Sequence, residues 1–360
     1  MPAVTSSKGP VAVTGASGYV GSHVVIALMK RGYTVHACVT QLNNPDKTDH
    51  LLALNGGNYP GHLELFAANL LEEGSYDVPF QDCSAVLHAG TPMGYAGANN
   101  PRQIYDGAVN GTKNVLDSAK KVGTIKRFIY TSTFSAIYHP MKSGYVFTEK
   151  DWASDNRESD PSWAPKSIDV DGELAYAMAK VETEHMSYQF AEKDGHFDVI
   201  SVCPLTVLGP LLSRVHERPD SWQWWLGRML AGKTCERQWN ALWNIVDVRD
   251  VGESQALMIE SNVCKNGWRY QLSAADQSGE IDVLQLQAHL QNLFPQIDIG
   301  GPPDEIHQII KKYGKVYQAP LAHCDKVREE LGLKTHAIED TLYETGQTMI
   351  DLGLVESTLK

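Results

Sequence analysis

The sequence predicts an α/β protein, a doubly wound parallel sheet followed by a smaller, mostly helical C-terminal lobe. Three features point there. Short β-rich runs alternate with helical stretches through the first two hundred residues, Gly15, Gly18 and Gly21 follow the first run, and the alternation loosens after Pro204. Strands separated by helices lie parallel with helices on both faces, and ligands of such sheets bind beyond the carboxyl ends of the strands.

Val11–Thr14, Thr34–Val39, Leu63–Ala67, Ala85–His88, Phe128–Thr131 and Val199–Val202 are the strand candidates. Between them Tyr19–Lys30, Ile104–Lys121 and Gly172–Lys193 carry apolar residues at helical spacing. Tyr138–Asp171 is polar and rich in Asp, Ser and Pro, so it reads as a surface loop with at most one helical turn. Loops of that length in compact domains are more often functional than idle. Beyond Pro204, helices are expected near Trp222–Leu230, Val251–Ile259, Ile281–Leu293, Glu305–Lys312, Cys324–Leu331 and Ile338–Leu352. Trp243–Val248 and Arg269–Leu272 are expected to return to the main sheet. Residues 1–204 and 240–275 are thus assigned to the sheet domain, and 205–239 and 276–360 to a substrate-covering lobe.

Composition narrows the function. A chain of 360 residues buries a substantial core. Its 31 basic and 43 acidic residues leave −12, which argues against nucleic acid or an anionic membrane as the main partner. No stretch approaches the ~20 consecutive apolar residues that span a bilayer. Residues 1–10 are polar and lack the apolar centre of a signal peptide. Cys38, Cys83, Cys203, Cys235, Cys264 and Cys324 are scattered without a Cys-x-x-Cys pair, as expected for reduced structural thiols of a cytoplasmic protein. The 13 histidines show no ligand spacing, so no metal site is expected. Nothing marks an oligomer interface.

Thr14-Gly15-Ala-Ser17-Gly18-Tyr19-Val20-Gly21 follows a strand and opens a helix. Glycines there allow a tight turn, and the helix N-terminus attracts phosphates, so the loop is a candidate dinucleotide cradle. At the second strand end an acidic residue would take the ribose of NAD and an arginine the phosphate of NADP. This chain has Thr40-Gln41 and then Lys47, which points to NADP without excluding NAD. Lys47 reads equally well as a solvated helix residue.

His88-Ala89-Gly90-Thr91-Pro92-Met93 ends the fourth strand in small residues suited to close passage of a cofactor, and Met93 is a candidate substrate contact. Thr131, Ser132, Thr133, Phe134 and Ser135 end the fifth. A hydroxyl there can hold a carbonyl oxygen, although such residues also serve as ordinary strand-end groups that satisfy loop amides. Asn110-Gly-Thr112 and Val246–Asp250 read as helix caps and structural contacts. Trp222, Trp224 and Trp225 either line an aromatic-friendly pocket or pack the lobe.

Tyr176 and Lys180 are four apart on a helix, so phenol and ammonium lie on one face. A phenol titrates near ~10, too high for efficient proton transfer at neutral pH, and a neighbouring ammonium favours the phenolate. With a dinucleotide loop upstream, the pair suits carbonyl/alcohol chemistry.

These motifs, with Pro204-Leu205-Thr-Val207-Leu-Gly209-Pro210, Asn110–Val115, Lys126–Ser132 and Glu330–Leu333, resemble an extended short-chain dehydrogenase/reductase. The branch they are most similar to is the dihydroflavonol reductase-like group, which also holds cinnamoyl-CoA reductases and fungal methylglyoxal/aldehyde reductases. The resemblance runs from about Val11 to Leu354. It implies a Rossmann domain with a discontinuous substrate lobe, Tyr176 as acid/base, and Lys180 holding the nicotinamide ribose. Thr133 stands where the family usually has serine, with Ser135 a rival. Asn69-Leu70 matches an adenine contact, and Pro204-Leu205, with Val207 beyond, matches the loop at the nicotinamide amide. The chain departs from the branch at Thr40, where arginine is frequent, and at Thr133. It departs again at Gly172–Tyr176, which replaces the segment typical of cinnamoyl-CoA reductases and makes that activity unexpected.

The reading is therefore an NAD(P)(H)-dependent oxidoreductase interconverting an aldehyde or ketone and an alcohol, on a small-to-medium aromatic or aliphatic substrate. The alternatives are a nucleotide-sugar epimerase or dehydratase, which the Trp222–Trp225 segment and Met93 disfavour, and a non-catalytic dinucleotide sensor, which has no use for Tyr176 and Lys180.

Overall fold

The computed structural model describes residues 3–91, 100–141, 144–157, 160, 162–233, 243–274, 280–299, 308 and 321–355. Its strands begin with β1 (Val11–Thr14), β2 (Thr34–Val39), β3 (His62–Ala67), β4 (Ala85–His88) and β5 (Arg127–Thr131). They continue with β6 (Val146–Phe147), β7 (Asp198–Pro204), β8 (Thr206–Leu208), β9 (Trp243–Asp247), β10 (Trp268–Leu272), β11 (Glu280–Ile281) and β12 (Leu321–Ala322). The α-helices are α1 (Tyr19–Lys30), α2 (Pro45–Leu52), α3 (Pro101–Val122), α4 (Gly172–Asp194) and α5 (Trp222–Leu230). After them come α6 (Val248–Glu260), α7 (Val283–Leu293), α8 (Asp325–Leu331) and α9 (Ile338–Asp351).

Seven strands form one parallel sheet in the order β10-β7-β5-β4-β1-β2-β3. Alternate side chains enter two cores, as the period of two requires. Val11, Val13, Leu87 and Ile129 join one that includes Val24 and Leu28 of α1 and Val251 of α6. Ala12, Val86, Phe128 and Val199 join the other, with Val115 of α3 and Tyr188 of α4. Covering both faces explains why these strands read as apolar runs rather than alternating ones. The chain steps outward from β1 to β3 and then returns to β4 on the other side of β1. The reversal lies between β1 and β4, and in sheets of this kind the strand ends at such a switch point form the ligand crevice.

The first six strand candidates and the three long helices fall where the periodicity puts them. Trp268–Leu272 does pair with β7, but Trp243–Asp247 does not reach the main sheet. It pairs parallel with β8 and antiparallel with β11 in a separate three-stranded sheet. All its residues are buried, and an apolar run does not declare which sheet it will join. This second sheet, with Leu226 and Leu230 of α5, Leu286 and Leu290 of α7 and Leu342 of α9, encloses a core of its own around Trp243.

Tyr138–Asp171 is more embedded than a surface loop. Phe147, His139, Ala153 and Ile168 are buried, and β6 pairs with β12 near the C-terminal end. Asn110–Thr112 lies inside α3 rather than at a cap, whereas Asp247 does cap α6, accepting from the Arg249 amide at 2.8 Å. The helix expected over Glu305–Lys312 lies, apart from position 308, outside the described residues. Among the described residues no helix is long and apolar enough to cross a membrane. Cys38, Cys83, Cys203, Cys264 and Cys324 are free and buried, and Cys235 lies outside the described residues.

Candidate active site

The crevice is built first by glycines. Gly15 turns out of β1 at φ +64, and a Cβ there would stand 2.6 Å from Gly90 Cα. On Gly21 a Cβ would stand 2.1 Å from the Gly15 carbonyl oxygen. Glycine thus lets the β1 turn fold beneath α1 and against the loop after β4. Gly18 caps α1 without a side-chain bond, leaving the helix N-terminus suited to an anion beside Ser17 and Gly18. Val20 packs into the core, and the Tyr19 hydroxyl donates to Gly209 O at 2.8 Å, tying α1 to the turn after β8.

Thr14 and His88 are register partners at the ends of β1 and β4, and Thr14 Oγ1 lies 2.6 Å from His88 Nδ1. The Gly90 amide donates to the same hydroxyl at 3.3 Å, fixing Gly90 against the end of β1. Burial pushes His88 down to about 3, so the ring is neutral. Thr14 and His88 stand at the start of the two motifs, but neither motif gives their side chains a role. Their signal is position, at facing strand ends.

The two residues expected at the 2′ position meet. Lys47 in α2 donates from Nζ to Thr40 Oγ1 at 2.9 Å. Asn44 caps that helix, its side chain accepting from Asp46 N. Asn69 is exposed, with Oδ1 accepting from the Leu71 amide, and Leu70 sits against Gly111 of α3.

Tyr176 and Lys180 lie on α4, started by Asp171, whose carboxylate accepts from the amides of Glu173 and Leu174. Tyr176 is half-buried and Lys180 is 2% exposed. The ammonium donates to Thr91 Oγ1 at 2.8 Å and to the Thr131 carbonyl at 2.9 Å, and lies 5.9 Å from the centre of the Tyr176 ring. Burial lowers Lys180 from 10.5 to about 8, partly opposed by Glu184. Thr131, Tyr176, Lys180 and Thr91 therefore gather where β4 and β5 end.

Thr133 Oγ1 accepts from the Ser135 amide at 3.2 Å, which leaves its hydrogen available to another acceptor. The Ser135 side chain is exposed, and Phe134 is buried against Phe147 and Tyr138. Pro204 ends β7, the Leu205 amide donates to Leu272 O, and Val207 O accepts from Gln223. Trp222 meets Trp243 edge-on at 5.2 Å and packs against the core of the second sheet. Met93 lies outside the described residues.

Three clusters carried no sequence motif. Glu184, one turn past Lys180, accepts from Ser132, Tyr188 and Arg269. Ser22 Oγ lies 3.2 Å from His50 Nε2 and 3.3 Å from His216 Nε2, joining α1, α2 and the segment between β8 and α5. His139, Asp151 and Asp155 also lie together, although no metal spacing predicts them. Asp151 already accepts from Tyr145 and Thr148, and Asp155 from the Trp152 amide, so these carboxylates serve the fold.

Residues 11–272 match the model of the NAD dependent epimerase/dehydratase family. Cinnamoyl-CoA reductase CAD2 of Medicago truncatula is 31% identical over 349 residues, 94% of this chain and 95% of that protein. Dihydroflavonol 4-reductase of Hordeum vulgare is 30% identical, over 81% of this chain and 77% of that protein. Among solved structures, Gre2 of Candida albicans in complex with NADPH shares the fold with a TM-score of 0.77 at 23% identity, covering 95% of this chain and 99% of that one. Yeast methylglyoxal/isovaleraldehyde reductase Gre2 complexed with NADPH also gives 0.77, at 21% identity, over 96% and 100%. Its sheet, glycine turn and relatives together make this chain an NAD(P)-dependent oxidoreductase, and it belongs to the NAD dependent epimerase/dehydratase family.

Proposed function

We propose that the protein is an NADP(H)-dependent carbonyl reductase, working as an alcohol dehydrogenase in reverse, on a small aldehyde or ketone. The observation that carries this reading is the Lys180 ammonium, anchored on Thr91 and Thr131 and one helical turn from Tyr176.

The glycine turn offers a fit for a dinucleotide, because the space at Gly15 and Gly21 is too small for a Cβ and the α1 N-terminus faces the crevice uncapped by a side chain. Ser17 and Gly18 would hold the pyrophosphate, Thr40 and Lys47 the ribose phosphate, and Lys180 the nicotinamide ribose. The dinucleotide, when bound, supplies or accepts the hydride. Thr133 donates to the carbonyl oxygen and orients it. Tyr176 gives its phenolic proton to that oxygen as the carbonyl carbon gains the hydride, so carbonyl, hydride and proton together make the alcohol. In reverse the Tyr176 phenolate takes the alcohol proton. Lys180 holds positive charge beside that phenolate and favours its formation. NADP is favoured over NAD because Lys47 and Thr40 offer a cation and a hydroxyl where a carboxylate would repel the phosphate.

The test is titration with NADPH and NADH by fluorescence, then loss of the reduced nicotinamide absorbance across aldehydes and ketones. Turnover of a carbonyl with NADPH supports the reading. A protein that consumes no dinucleotide yet converts a nucleotide sugar contradicts it, since an epimerase returns its hydride.

A further inference from the structure

Behind Lys180 stands a charged pair that the proposed proton transfer does not use. Glu184 is fully buried and Arg269 of β10 is 4% exposed. Glu184 Oε1 accepts from Arg269 Nε at 2.6 Å and from the Tyr188 hydroxyl at 2.8 Å. Oε2 accepts from Ser132 Oγ at 2.6 Å and from Arg269 Nη2 at 3.3 Å. Arg269 also donates to the carbonyls of Glu149 and Asp151 and lies 3.7 Å over the Trp152 ring. Desolvating such a pair is expensive, and apolar residues of similar volume often serve stability as well or better. Its location gives it another use. Ser132 lies between Thr131, whose carbonyl holds Lys180, and Thr133, whose hydroxyl caps the turn after β5 by accepting from the Ser135 amide.

We propose that Glu184 is a positioning residue of the active site, fixing the Thr131–Thr133 strand end through Ser132 and setting its charge one helical turn from Lys180. The inference rests on the reading of Tyr176, Lys180 and Thr133 as the reacting group. Lys180 is faced by Tyr176 and Glu184 from α4, His88 from β4, Tyr130 from β5 and Cys203 from β7, with Arg269 of β10 behind Glu184. Burial pushes His88 down to about 3 and Cys203 up to about 12, and it raises Tyr130, so all three are neutral near pH 7. Glu184 is the negative charge that favours the ammonium against its own desolvation.

Three variants test this beside Tyr176→Phe. Ser132→Ala should lower kcat by ~10–100-fold, the scale of a slightly misplaced reacting group, with the NADPH Kd unchanged. Glu184→Gln should move the alkaline limb of kcat/KM to lower pH, because Lys180 then loses its proton more readily. Glu184→Gln leaves Arg269 buried and unpaired, so Glu184→Gln/Arg269→Met is measured with it and should shift the limb the same way. The inference is overturned if Ser132→Ala keeps the wild-type kcat, or if the folded charge variants keep the wild-type limb, while Tyr176→Phe is inactive. A fully active Tyr176→Phe overturns the reading of the site itself, and this inference with it.

Discussion

Lys180 Nζ donates to the Thr131 carbonyl at 2.9 Å from a position that is 2% exposed, so a side chain that titrates at 10.5 in water is held at about 8. That depression is worth about 3 kcal/mol of unfavourable charge burial. The folded protein binds fewer protons at Lys180 than the unfolded chain between these two values, so stability rises with pH there. Below about pH 8 the penalty is fully present. Lys180→Met carries no such term, and denaturant titrations of the two proteins should show the wild type gaining about 3 kcal/mol on the variant from pH 7 to pH 10.5. A pH-independent gap would mean that the ammonium is not desolvated.

Thr133 and Ser135 are separated by their surroundings. The Thr133 hydroxyl is fixed by the Ser135 amide at 3.2 Å, whereas the Ser135 side chain is exposed. Thr133→Ala should lower kcat/KM by ~10²-fold or more, Thr133→Ser should keep most activity, and Ser135→Ala should cost little. The opposite ranking of the two alanine variants in steady-state assays would move the role to Ser135.

At the other end of the crevice, Lys47 and Thr40 share one hydrogen bond at 2.9 Å. A single ammonium recognises a phosphate as a point charge, without the paired geometry of a guanidinium. NADPH should bind tighter than NADH by a modest factor. Thr40→Arg should widen the ratio of dissociation constants and Lys47→Ala should narrow it. Tighter binding of NADH by the wild type would reverse the assignment.

Gly21→Ala tests the glycine turn. Its Cβ would stand 2.1 Å from a backbone oxygen, not from a side chain that can swing away. Overpacking of this kind costs about 1–3 kcal/mol. Thermal melting should fall, and dinucleotide affinity should fall with it. An unchanged Kd would show that the turn is not the cradle.

The parts of the fold legible in the sequence were those with a local cause. β1, β2, β4, α1 and α5 match their expected spans because burial on both faces leaves apolar runs, and amphipathic helices keep their period. Lys180 and Tyr176 were visible because helix geometry sets their spacing. Trp243–Asp247 misled because joining one sheet or another depends on partners distant in sequence. Glu184 and Arg269, 85 residues apart, became a pair only when β10 came back beside β7. The Thr14–His88 lock at the switch point is likewise a product of topology, not of any motif.

In the proposed reaction Tyr176 moves the proton of a dinucleotide-dependent carbonyl reduction. The most direct measurement is the loss of reduced nicotinamide absorbance, with saturating NADPH and a carbonyl that the wild type turns over, in Tyr176→Phe. The variant's kcat should be lower by ~10²–10⁴-fold, the usual contribution of general acid–base catalysis, with NADPH bound as in the wild type. A kcat within about twofold of the wild type would contradict it, since a phenyl ring has no proton to give.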